Sequence, residues 1–346
     1  MRAHDQRQRP RATLSECTDD KDRGFASLFI RRIARTLLDR LFANQTSWRG
    51  TVADNRGYWL DAAGQAGSST MAEINSHPLL ATNTVAVWDV LCSGTCKHKS
   101  VEECVSTTHL VFPYRGVYVR HMSQVETVAE ANQVVFLNES EPYRVSHPLE
   151  GGDASLSIGI DEATLLELAP ADFLHTKNRI LFNRPRMRID ARTQLLAALV
   201  RHRLARGMTE TLEAEDLILS LVSRALGKRT SYTASGSVGR QKLVDRAKLV
   251  LSSDLGRRWT LAEIGSAVGV SPVYLTQVFR QVEGLPLYRY QLQLRLARAL
   301  DLLDHCSDLT GLALDLGFSS YSHFSTAFKQ AYGFTPLAFQ HSSRLS

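Results

Sequence analysis

The chain has 346 residues, a length that predicts two domains, or three, at roughly 100–200 residues per domain. Apolar residues make up 44% and charged residues 22% of the chain. This composition is typical of a globular protein, and it excludes a wholly disordered, collagen-like or coiled-coil chain. The net charge of +6 is compatible with nucleic-acid binding, although many enzymes share such a balance.

The sequence carries no evident targeting signal. No stretch approaches about 18 uncharged apolar residues, so no membrane-spanning helix and no membrane partner are predicted. The N-terminus lacks the basic tip, apolar core and small-residue cleavage site of a signal peptide. The five cysteines are an odd number for so long a chain, which argues against a disulfide framework. We therefore expect a protein of the reducing cytoplasm.

Residues 1–70 differ from the rest of the chain, with polar and glycine-rich stretches and an excess of basic residues. They predict a basic, poorly ordered extension. In the same interpretation, Met71 is the working start of the protein. The alternative is a basic arm, or a short docking helix over residues 25–42, where arginines stand among apolar residues.

Residues 71–226 begin with a β-rich region. Short apolar runs separated by turn residues are typical of a small barrel or sandwich. Pro113 and Gly116 are expected to bracket a turn, because both residues are disfavoured inside strands. The predicted strands cover residues 85–91, 109–112, 117–119, 134–137, 143–145 and 153–160.

From Asp161 onward the apolar spacing becomes that of helices. Residues 227–239 are polar, small and glycine-rich, which is typical of an interdomain linker. Residues 240–346 form the predicted C-terminal domain, which is mostly helical. Upstream of the linker, helices are predicted over residues 162–168, 191–205 and 214–226, and we expect the last two to pair two subunits.

The segment 261–279 has the layout of a helix-turn-helix. Ile264 and Val268 lie four residues apart on one helix face, and Gly269 stands where the turn requires a positive φ. Ser271 is a favourable N-cap, and Pro272 fits the first position of the second helix. One such match is only moderately specific, because helical hairpins with a glycine turn are common.

A second copy of this layout raises the specificity. Residues 312–318 repeat the pattern of residues 264–270, and the phenylalanines that follow repeat the inward positions of the next helix. Between the copies, residues 288–305 form one helical pattern without Gly or Pro. A helix of that length is about 27 Å long, and it would hold two recognition helices roughly one turn of DNA apart.

This tandem arrangement resembles the DNA-binding domain of the AraC family of bacterial transcription regulators. The resemblance covers residues 241–340 and is most specific over residues 315–329 (DLGFSSYSHFSTAFK), followed by residues 333–336 (GFTP). In that family a β-barrel of cupin type usually precedes helices that pair two subunits. The resemblance therefore implies an α+β chain, with a cupin-like sensor and dimerisation domain at residues 71–226 and an all-α domain of two helix-turn-helix units at residues 240–346.

The outward positions of the two predicted recognition helices, over residues 272–283 and 321–332, are the candidates for DNA contacts. Amide, hydroxyl and apolar groups suit base edges, whereas basic side chains suit phosphates. Many family members carry a long basic residue where this chain has Thr326, so strong guanine readout by the second unit is not expected. The candidates are Val273, Tyr274, Thr276, Gln277, Tyr321, Ser322, Ser325 and Thr326, with Arg280 and Lys329 for phosphate.

The charge of the predicted DNA-binding domain supports this interpretation only weakly. Residues 241–346 hold eleven Lys and Arg and eight Asp and Glu. We therefore expect modest affinity per domain, strengthened by dimerisation. The acidic residues expected to lie away from the DNA are Asp301, Asp304, Asp308 and Asp315.

Three cysteines of the predicted sensor fall close together beside a histidine. Such a set could hold a soft metal ion or form a redox switch. Their spacing is not the paired C-x2-C of common structural zinc sites, so incidental or buried thiols are the leading interpretation. No metal ligand is therefore predicted, and the effector or redox candidates are Cys92, Cys96, Cys104 and His98.

A metal-dependent cupin enzyme fused to a DNA-binding domain is the alternative function. Such enzymes carry a close His-x-His with a following Glu, whereas this chain offers the widely spaced His109 and His121, with Glu126 later. No Ser-His-Asp, phosphate-loop or dinucleotide signature replaces that set, so no catalytic residue and no cofactor are predicted. Residues that line an effector pocket, or alternatively face outward from a barrel strand, are Tyr114, Arg115, Tyr118, Arg120, Tyr143 and Arg144.

As a whole, the sequence predicts a cytoplasmic, sequence-specific transcription regulator that acts as an activator. Its expected partners are double-stranded promoter DNA, RNA polymerase, a small-molecule or redox effector and a second copy of the chain. The effector would shift the population of DNA-competent arrangements through domain contacts and the linker. A weaker alternative is an interaction protein whose tandem units bind RNA or protein.

Overall fold

The chain follows two successive arrangements, a β-sheet half over residues 74–232 and a helical half over residues 238–344. Both halves belong to one compact unit. The expectations for residues 1–70 and for Met71 lie outside the described residues. The computed structural model describes residues 74–344, apart from residues 96, 124, 177–179, 228–230 and 233–235.

The β-sheet half has twelve strands within the described residues, and every strand predicted from the sequence is among them. The eight-residue β1 and the shorter β5 and β9 to β12 were not predicted. The strands are β1 (Ile74–Ala81), β2 (Val85–Cys92), β3 (His109–Gly116), β4 (Tyr118–Met122), β5 (Val125–Ala129), β6 (Gln133–Leu137), β7 (Arg144–Ser146), β8 (Asp153–Ile160), β9 (Leu174–Thr176), β10 (Ile180–Phe182), β11 (Arg186–Ile189) and β12 (Ser231–Tyr232).

Seven strands form one antiparallel sheet in the order β1-β2-β8-β3-β6-β11-β12. A second, three-stranded sheet has the order β5-β4-β7, and β9 pairs with β10 as a separate hairpin. All eight residues of β8 are buried, because this strand has a neighbour on each side and a covered surface on each face.

The two sheets pack face to face as an open sandwich. Val111, Val135 and Leu137 of the large sheet form one buried cluster with Tyr118 of the three-stranded sheet and with Tyr143, which directly precedes β7. The opposite face of the large sheet packs against helices. The predicted closed cupin barrel is not confirmed, since the hydrogen bonding of the described strands leaves the two sheets separate.

Ten α-helices occupy the described residues, and none of these is long and apolar enough to cross a membrane. The first two keep their predicted bounds, and the third begins three residues before its predicted start. They are α1 (Glu162–Leu168), α2 (Ala191–Ala205), α3 (Thr211–Leu226), α4 (Val238–Ser253), α5 (Leu261–Val268), α6 (Pro272–Glu283), α7 (Leu287–Leu302), α8 (Leu309–Asp315), α9 (Tyr321–Tyr332) and α10 (Pro336–Arg344).

The predicted turn between Pro113 and Gly116 is wrong. Strand β3 continues to Gly116, and its pairing with β8 shifts register between Pro113 and Arg115. Such an irregularity accommodates a proline, which has no N–H to donate to the ladder. The chain changes direction at Gly116, whose φ is 70°, and enters the second sheet at Tyr118.

Part of the predicted linker over residues 227–239 is strand. Ser231 and Tyr232 pair with Ile189 and Arg188 at the edge of the large sheet. The composition of residues 227–239 is typical of a flexible linker. Backbone hydrogen bonds to the edge strand β11 nevertheless hold Ser231 and Tyr232 in the sheet.

The apolar faces of α2 and α3 are covered within the chain. On α3, Ile218, Leu221 and Val222 are fully buried in the core beneath the large sheet. On α2, Leu195 and Leu199 pack against the helical half. These faces were the basis for the predicted pairing of two subunits, and their coverage removes that support for a dimer.

The two halves meet along a polar interface that we call the seam. Arg186 donates to Oδ1 of Asp245 at 2.6 Å, which joins β11 to α4. Arg188 donates to the backbone carbonyl of Glu283 at 3.0 Å. The hydroxyl of Tyr290 on α7 donates to the carboxylate of Glu130. The seam comprises Glu130, Arg186 and Arg188 of the β-sheet half and Asp245, Lys248, Glu283 and Tyr290 of the helical half.

An ion pair lies inside the seam. Lys248 and Glu283 are 0% and 1% exposed, and their charged atoms are 2.6 Å apart. Burial alone would raise the pKa of Glu283, but the charges of Lys248 and Arg186 outweigh it and hold that pKa below its ordinary value. At Glu130, burial dominates and raises the pKa instead. Buried charges persist only when they are paired, so the seam is stable as a set.

A further group of contacts joins α2 to the helical half. Arg201 pairs with Asp301 at 3.1 Å, and Arg206 pairs with the buried Asp304. The side chain of Gln194 accepts from the hydroxyl of Tyr332 at 3.5 Å. The seam therefore extends from the large sheet along the whole of α2.

Replacing Lys248 with Met is expected to lower the free energy of unfolding by about 3 kcal/mol, because it leaves Glu283 buried without its nearest cation. Chemical denaturation of the full chain measures this change. Lys97→Met is the matched control, since Lys97 is 70% exposed and forms only a surface pair with Glu150. Equal free energies of unfolding for the two variants would contradict the predicted cost of breaking the buried Lys248–Glu283 pair.

A histidine inside the sandwich makes stability depend on pH. His109 is 5% exposed, stacks on Trp88 and hydrogen-bonds Ser157 at 2.8 Å. Burial lowers its pKa to about 4. In the unfolded chain a histidine titrates near 6.5, so the unfolded state takes up the proton first as the pH falls.

We therefore expect His109 to cost roughly 3 kcal/mol of stability between pH 6.5 and pH 4, on the basis of its shifted pKa. The variant His109→Gln should lose less stability than the parent protein over that range. Denaturation curves at several pH values measure the difference. His98→Gln, which removes an exposed imidazole, is the control and should keep the parent's slope.

Candidate nucleic-acid interface

The first helix-turn-helix is built by α5 and α6 as the sequence predicts. Thr260 and Glu263 form a reciprocal capping box at the start of α5. Gly269 ends that helix with a φ of 77°, in the left-handed region. Ser271 then accepts from the backbone N–H of Tyr274 at 3.2 Å, and Pro272 occupies the first helical turn.

The second helix-turn-helix is built by α8 and α9 in the same way. Asp308 caps α8, and Gly317 adopts a φ of 79° at the turn. Ser320 caps α9 by accepting from the N–H of His323 at 3.2 Å. Phe318, only 2% exposed, fills the corner that Val270 occupies in the first unit.

Helix α7 connects the two units by belonging to both of their cores. Its first half contributes Leu287, Tyr290 and Leu294 to the core around α5 and α6. Its second half contributes Leu296 and Leu300 to the core around α8 and α9. Because α7 packs in the cores of both units, it fixes the spacing between the two recognition helices, as the sequence predicts.

Arg295 on α7 connects the segment before the first unit to the turn of the second unit. Its guanidinium donates to the carbonyls of Leu255 at 2.7 Å and Arg257 at 2.8 Å, ahead of the first unit. It also donates to the carbonyl of Gly317 at 3.2 Å, in the second unit. One half-buried arginine thus satisfies backbone oxygens from both of these segments.

Most of the predicted DNA-contact residues lie on the open surfaces of α6 and α9. The apolar residues between them, such as Leu275, Phe279, Phe324 and Phe328, are 0% exposed, which orients the remaining positions outward. Tyr321 and Ser325 are half-buried. The exposed candidates are Val273, Tyr274, Thr276, Gln277, Arg280, Ser322, Thr326 and Lys329.

The four aspartates that were expected to lie away from the DNA follow this expectation only in part. Asp301 and Asp304 pair with arginines of α2, so the β-sheet half occupies them. Asp308 caps α8. Asp315 is exposed, and its distance from any DNA remains a prediction.

His323 is a surface residue of α9 that is not among the DNA contacts predicted from the sequence. It is exposed, its ring lies edge-on to Phe318, and its Nδ1 is 3.1 Å from the hydroxyl of Ser319. Its position directly after Ser322, near the helix N-terminus, was the available signal. A ring held in this way offers a donor or acceptor beside the predicted contacts.

Both recognition helices end in the seam. Glu283 is the last residue of α6, and it contacts Lys248 and Arg188. Tyr332 is the last residue of α9, and it contacts Gln194 of α2. Each helix therefore has an exposed N-terminal part and a C-terminal end that is held by the β-sheet half.

Most of the residues predicted to bind an effector in the β-sheet half are buried or make contacts that stabilise the fold. Tyr118 and Arg120 are 7% and 1% exposed, and Arg120 donates to the carbonyls of Phe136 and Pro185. Tyr143 is also buried, while Arg115 is half-buried and Arg144 is exposed. Because Tyr118, Arg120 and Tyr143 are buried in these contacts, their side chains do not line an open pocket.

Tyr114 lies at a small crevice between the two halves. Its hydroxyl donates to Asp89 at 2.7 Å, and the guanidinium of Arg201 lies 3.8 Å from its ring centre. Phe112, Gln194 and Asp301 also line this crevice. Its free space of about 20 Å³ has room for roughly one water molecule.

The structure describes two of the three cysteines that lie close together in the sequence. Cys92 and Cys104 lie at half-buried positions, His98 is exposed, and Cys96 lies outside the described residues. The histidines weighed for a cupin enzyme also differ in their surroundings. His121 binds Glu126 and Ser146 in the three-stranded sheet, whereas His109 lies in the large sheet.

The paired turns allow a matched test of the geometry. A Cβ at Gly317 would overlap the carbonyl oxygen of Gly256, whereas a Cβ at Gly269 would meet nothing within 4 Å. Both substitutions to Ala carry a left-handed backbone cost of about 1–2 kcal/mol. Gly317→Ala should therefore destabilise the chain by at least about 1 kcal/mol more than Gly269→Ala in chemical denaturation. Equal losses would show that the overlap relaxes without cost.

Comparison with known proteins agrees with this geometry. Residues 264–342 match the family described as a helix-turn-helix domain. The transcriptional activator RhaR of Klebsiella pneumoniae is 30% identical over 132 residues, which cover 38% of this chain and 47% of that protein. The probable transcriptional regulator LumQ of Photobacterium leiognathi is 25% identical over 241 residues, covering 68% of this chain and 92% of that protein.

Among solved structures, a transcriptional regulator from Chromobacterium violaceum, described among AraC-type DNA-binding domain-containing proteins, is 29% identical. It covers 31% of this chain and 97% of its own, with a TM-score of 0.30. The chain spans about half the length, or less, of the first curated relatives that it matches. The helical half of this chain therefore contains a helix-turn-helix domain of the AraC type.

Proposed function

We propose that this protein is a sequence-specific regulator of transcription that binds double-stranded promoter DNA through α6 and α9. The single observation that carries the proposal is the tandem arrangement of two capped helix-turn-helix units on one connecting helix. Two recognition helices on a common support suit successive major grooves. The expected mode of action is activation, with RNA polymerase as a partner.

The proposed base contacts come from the N-terminal parts of both recognition helices. In the first unit, the amide of Gln277 bonds an adenine edge, and Val273 and Thr276 meet thymine methyl groups. In the second unit, the readers are the tyrosine, serines and threonine of residues 321–326. Arg280 and Lys329, one turn further along their helices, contact phosphates and set the register.

The seam is the proposed route by which a signal reaches DNA. Because the ends of α6 and α9 contact residues of the β-sheet half, a change in that half alters the positions that the two helices prefer. A ligand acts on such an equilibrium only through its different affinity for the two arrangements. An effector that binds at the crevice beside Tyr114 and Arg201 would act on the contacts between the two halves. A second copy of the chain would add affinity through paired half-sites.

A direct test is genomic footprinting of the purified full chain on fragmented DNA from its own source, with and without reducing agent. The proposal predicts a discrete set of promoter-proximal sites. Weak, salt-sensitive binding everywhere would contradict sequence-specific recognition. Sites that change with the reductant would assign the signal to thiols.

Substitutions separate the two kinds of DNA contact. Gln277→Ala should lose about 1–3 kcal/mol of discrimination at one base position, while its non-specific affinity stays unchanged. Arg280→Ala should weaken binding to all sequences and lower the salt slope by about 1. Arg289→Ala, at an exposed arginine of α7, is the control and should change neither quantity. Binding titrations at several salt concentrations measure both effects, and interchanged effects would contradict the assigned roles.

A further inference from the structure

A thiol, an imidazole and a carboxylate meet at one end of the sandwich. Cys92 is the last residue of β2, Asp153 is the first residue of β8, and His147 follows β7. One potential ligand atom from each of the three lies within 4.8 Å of the others. His147 and Asp153 are 2% and 7% exposed, and Cys92 is half-buried.

The fold brings these residues together by strand register. Cys92 stands directly opposite Asp153 in the β2–β8 pair. Opposed residues of antiparallel strands carry their side chains on the same face, with Cβ atoms about 4.5–5.5 Å apart. Strand pairing therefore places the thiol beside the carboxylate, although the two residues are far apart in the sequence.

Two glycines allow the loops at this end to close around the cluster. Gly94 and Gly152 have φ values of 69° and 64°. A Cβ at Gly94 would lie 2.7 Å from the backbone nitrogen of Gly152 and 3.5 Å from the ring of His147. A Cβ at Gly152 would overlap the carbonyl oxygen of Cys92. Close contact between these backbones holds His147 over the strand pair.

The electrostatics of the cluster favour a cation. The carboxylate of Asp153 is buried, and within the described residues its ion pairs involve no lysine or arginine. Its partner is Nε2 of His147 at 2.6 Å. A buried carboxylate is stable when it is paired or coordinates a metal ion. Here an imidazole nitrogen and a thiol sulfur lie within 4.8 Å of this carboxylate and of each other.

We propose that Cys92, His147 and Asp153 bind one zinc ion. Sulfur and imidazole nitrogen are ligands that zinc accepts and that magnesium and calcium do not prefer. Zinc-to-ligand distances of about 2.0–2.3 Å place tetrahedral ligand atoms roughly 3.3–3.8 Å apart, within the observed spread. Zinc binds the thiolate form of Cys92 and an Nε2 of His147 that carries no proton, so the thiol proton is released and the Nε2 position loses any proton that it holds. Nε2 of His147 and the carboxylate of Asp153 separate slightly.

Three protein ligands leave the fourth position of the zinc ion open. A site of this kind accepts water or an added ligand, in contrast to closed structural sites with four protein ligands. The ion would also link β2 and β8 of the large sheet to the segment that leaves the three-stranded sheet. The site differs from the sequence cluster of cysteines, because two of its three ligands come from residues 147 and 153.

Cobalt(II) is the probe for this site, because cysteine-bound cobalt shows a thiolate charge-transfer absorption. The reduced full chain is titrated with cobalt(II) alone, followed by zinc(II) as the competitor. We expect the band to saturate near one equivalent and to disappear on addition of zinc. Cys104→Ser and Cys306→Ser should behave as the parent does, since they remove thiols outside the cluster.

Variants of the three ligands complete the test. Cys92→Ser should lose the charge-transfer band, and His147→Gln and Asp153→Asn should each weaken cobalt binding at least tenfold. Circular dichroism verifies their folding. Should Cys92→Ser fold poorly, Asp153→Asn carries the test, because its amide keeps a hydrogen bond to His147 and is a poor zinc ligand.

Three outcomes would overturn the proposal. The first is the absence of saturable cobalt binding near one equivalent in the parent protein. The second is a charge-transfer band that persists in Cys92→Ser and is lost in Cys104→Ser. The third is unchanged affinity in a folded Asp153→Asn. Loss of DNA binding without loss of cobalt binding would leave this site intact, so the two proposals are tested separately.

Discussion

The structure depends on the neutralisation of charges that are buried between the two halves. Lys248 is completely buried, and its ammonium group lies against Glu283, while Arg186 reaches Asp245 from the opposite side of the seam. Removing one member of such a set leaves an uncompensated charge, which costs more than the pair contributes. The halves therefore stay docked through a polar surface that is specific in its geometry.

This constraint explains how the recognition helices are placed. Their exposed N-terminal residues are free to contact a ligand, while Glu283 and Tyr332 at their C-terminal ends are held by the β-sheet half. From the connecting helix, Arg295 joins the segment before α5 to the turn at Gly317. The regulation that we propose acts on the orientation of the two helices rather than on their DNA-facing residues, and it needs no contact between the effector and the DNA.

The sandwich divides its polar residues into two groups with different consequences. Tyr118, Arg120 and Tyr143 are buried between the sheets, where Arg120 satisfies backbone carbonyls. At one end of the sandwich, the ligand atoms of Cys92, His147 and Asp153 lie within 4.8 Å of one another. The first group stabilises the fold, whereas the second retains the donor set of a zinc site. Composition alone does not distinguish these two outcomes.

The sequence by itself determined the elements whose signals are local. The bounds of α6 and α9 follow from Ser271 and Ser320 as caps and from the glycines that end each helix. Capping and apolar periodicity act within about four residues, so one helical turn of sequence is sufficient to predict them. The central strands were predicted for the same reason, through alternation over a few neighbouring positions.

Only the tertiary structure decided which residues meet across long separations. The coverage of α2 and α3 within the chain, the open sandwich in place of a closed barrel, and the burial of Glu283 at the end of a surface helix all depend on the docking of distant segments. Cys92 shows the same limit. Its neighbours in sequence suggested a cysteine cluster, but strand register brings Asp153 beside it, and register is a property of the assembled sheet.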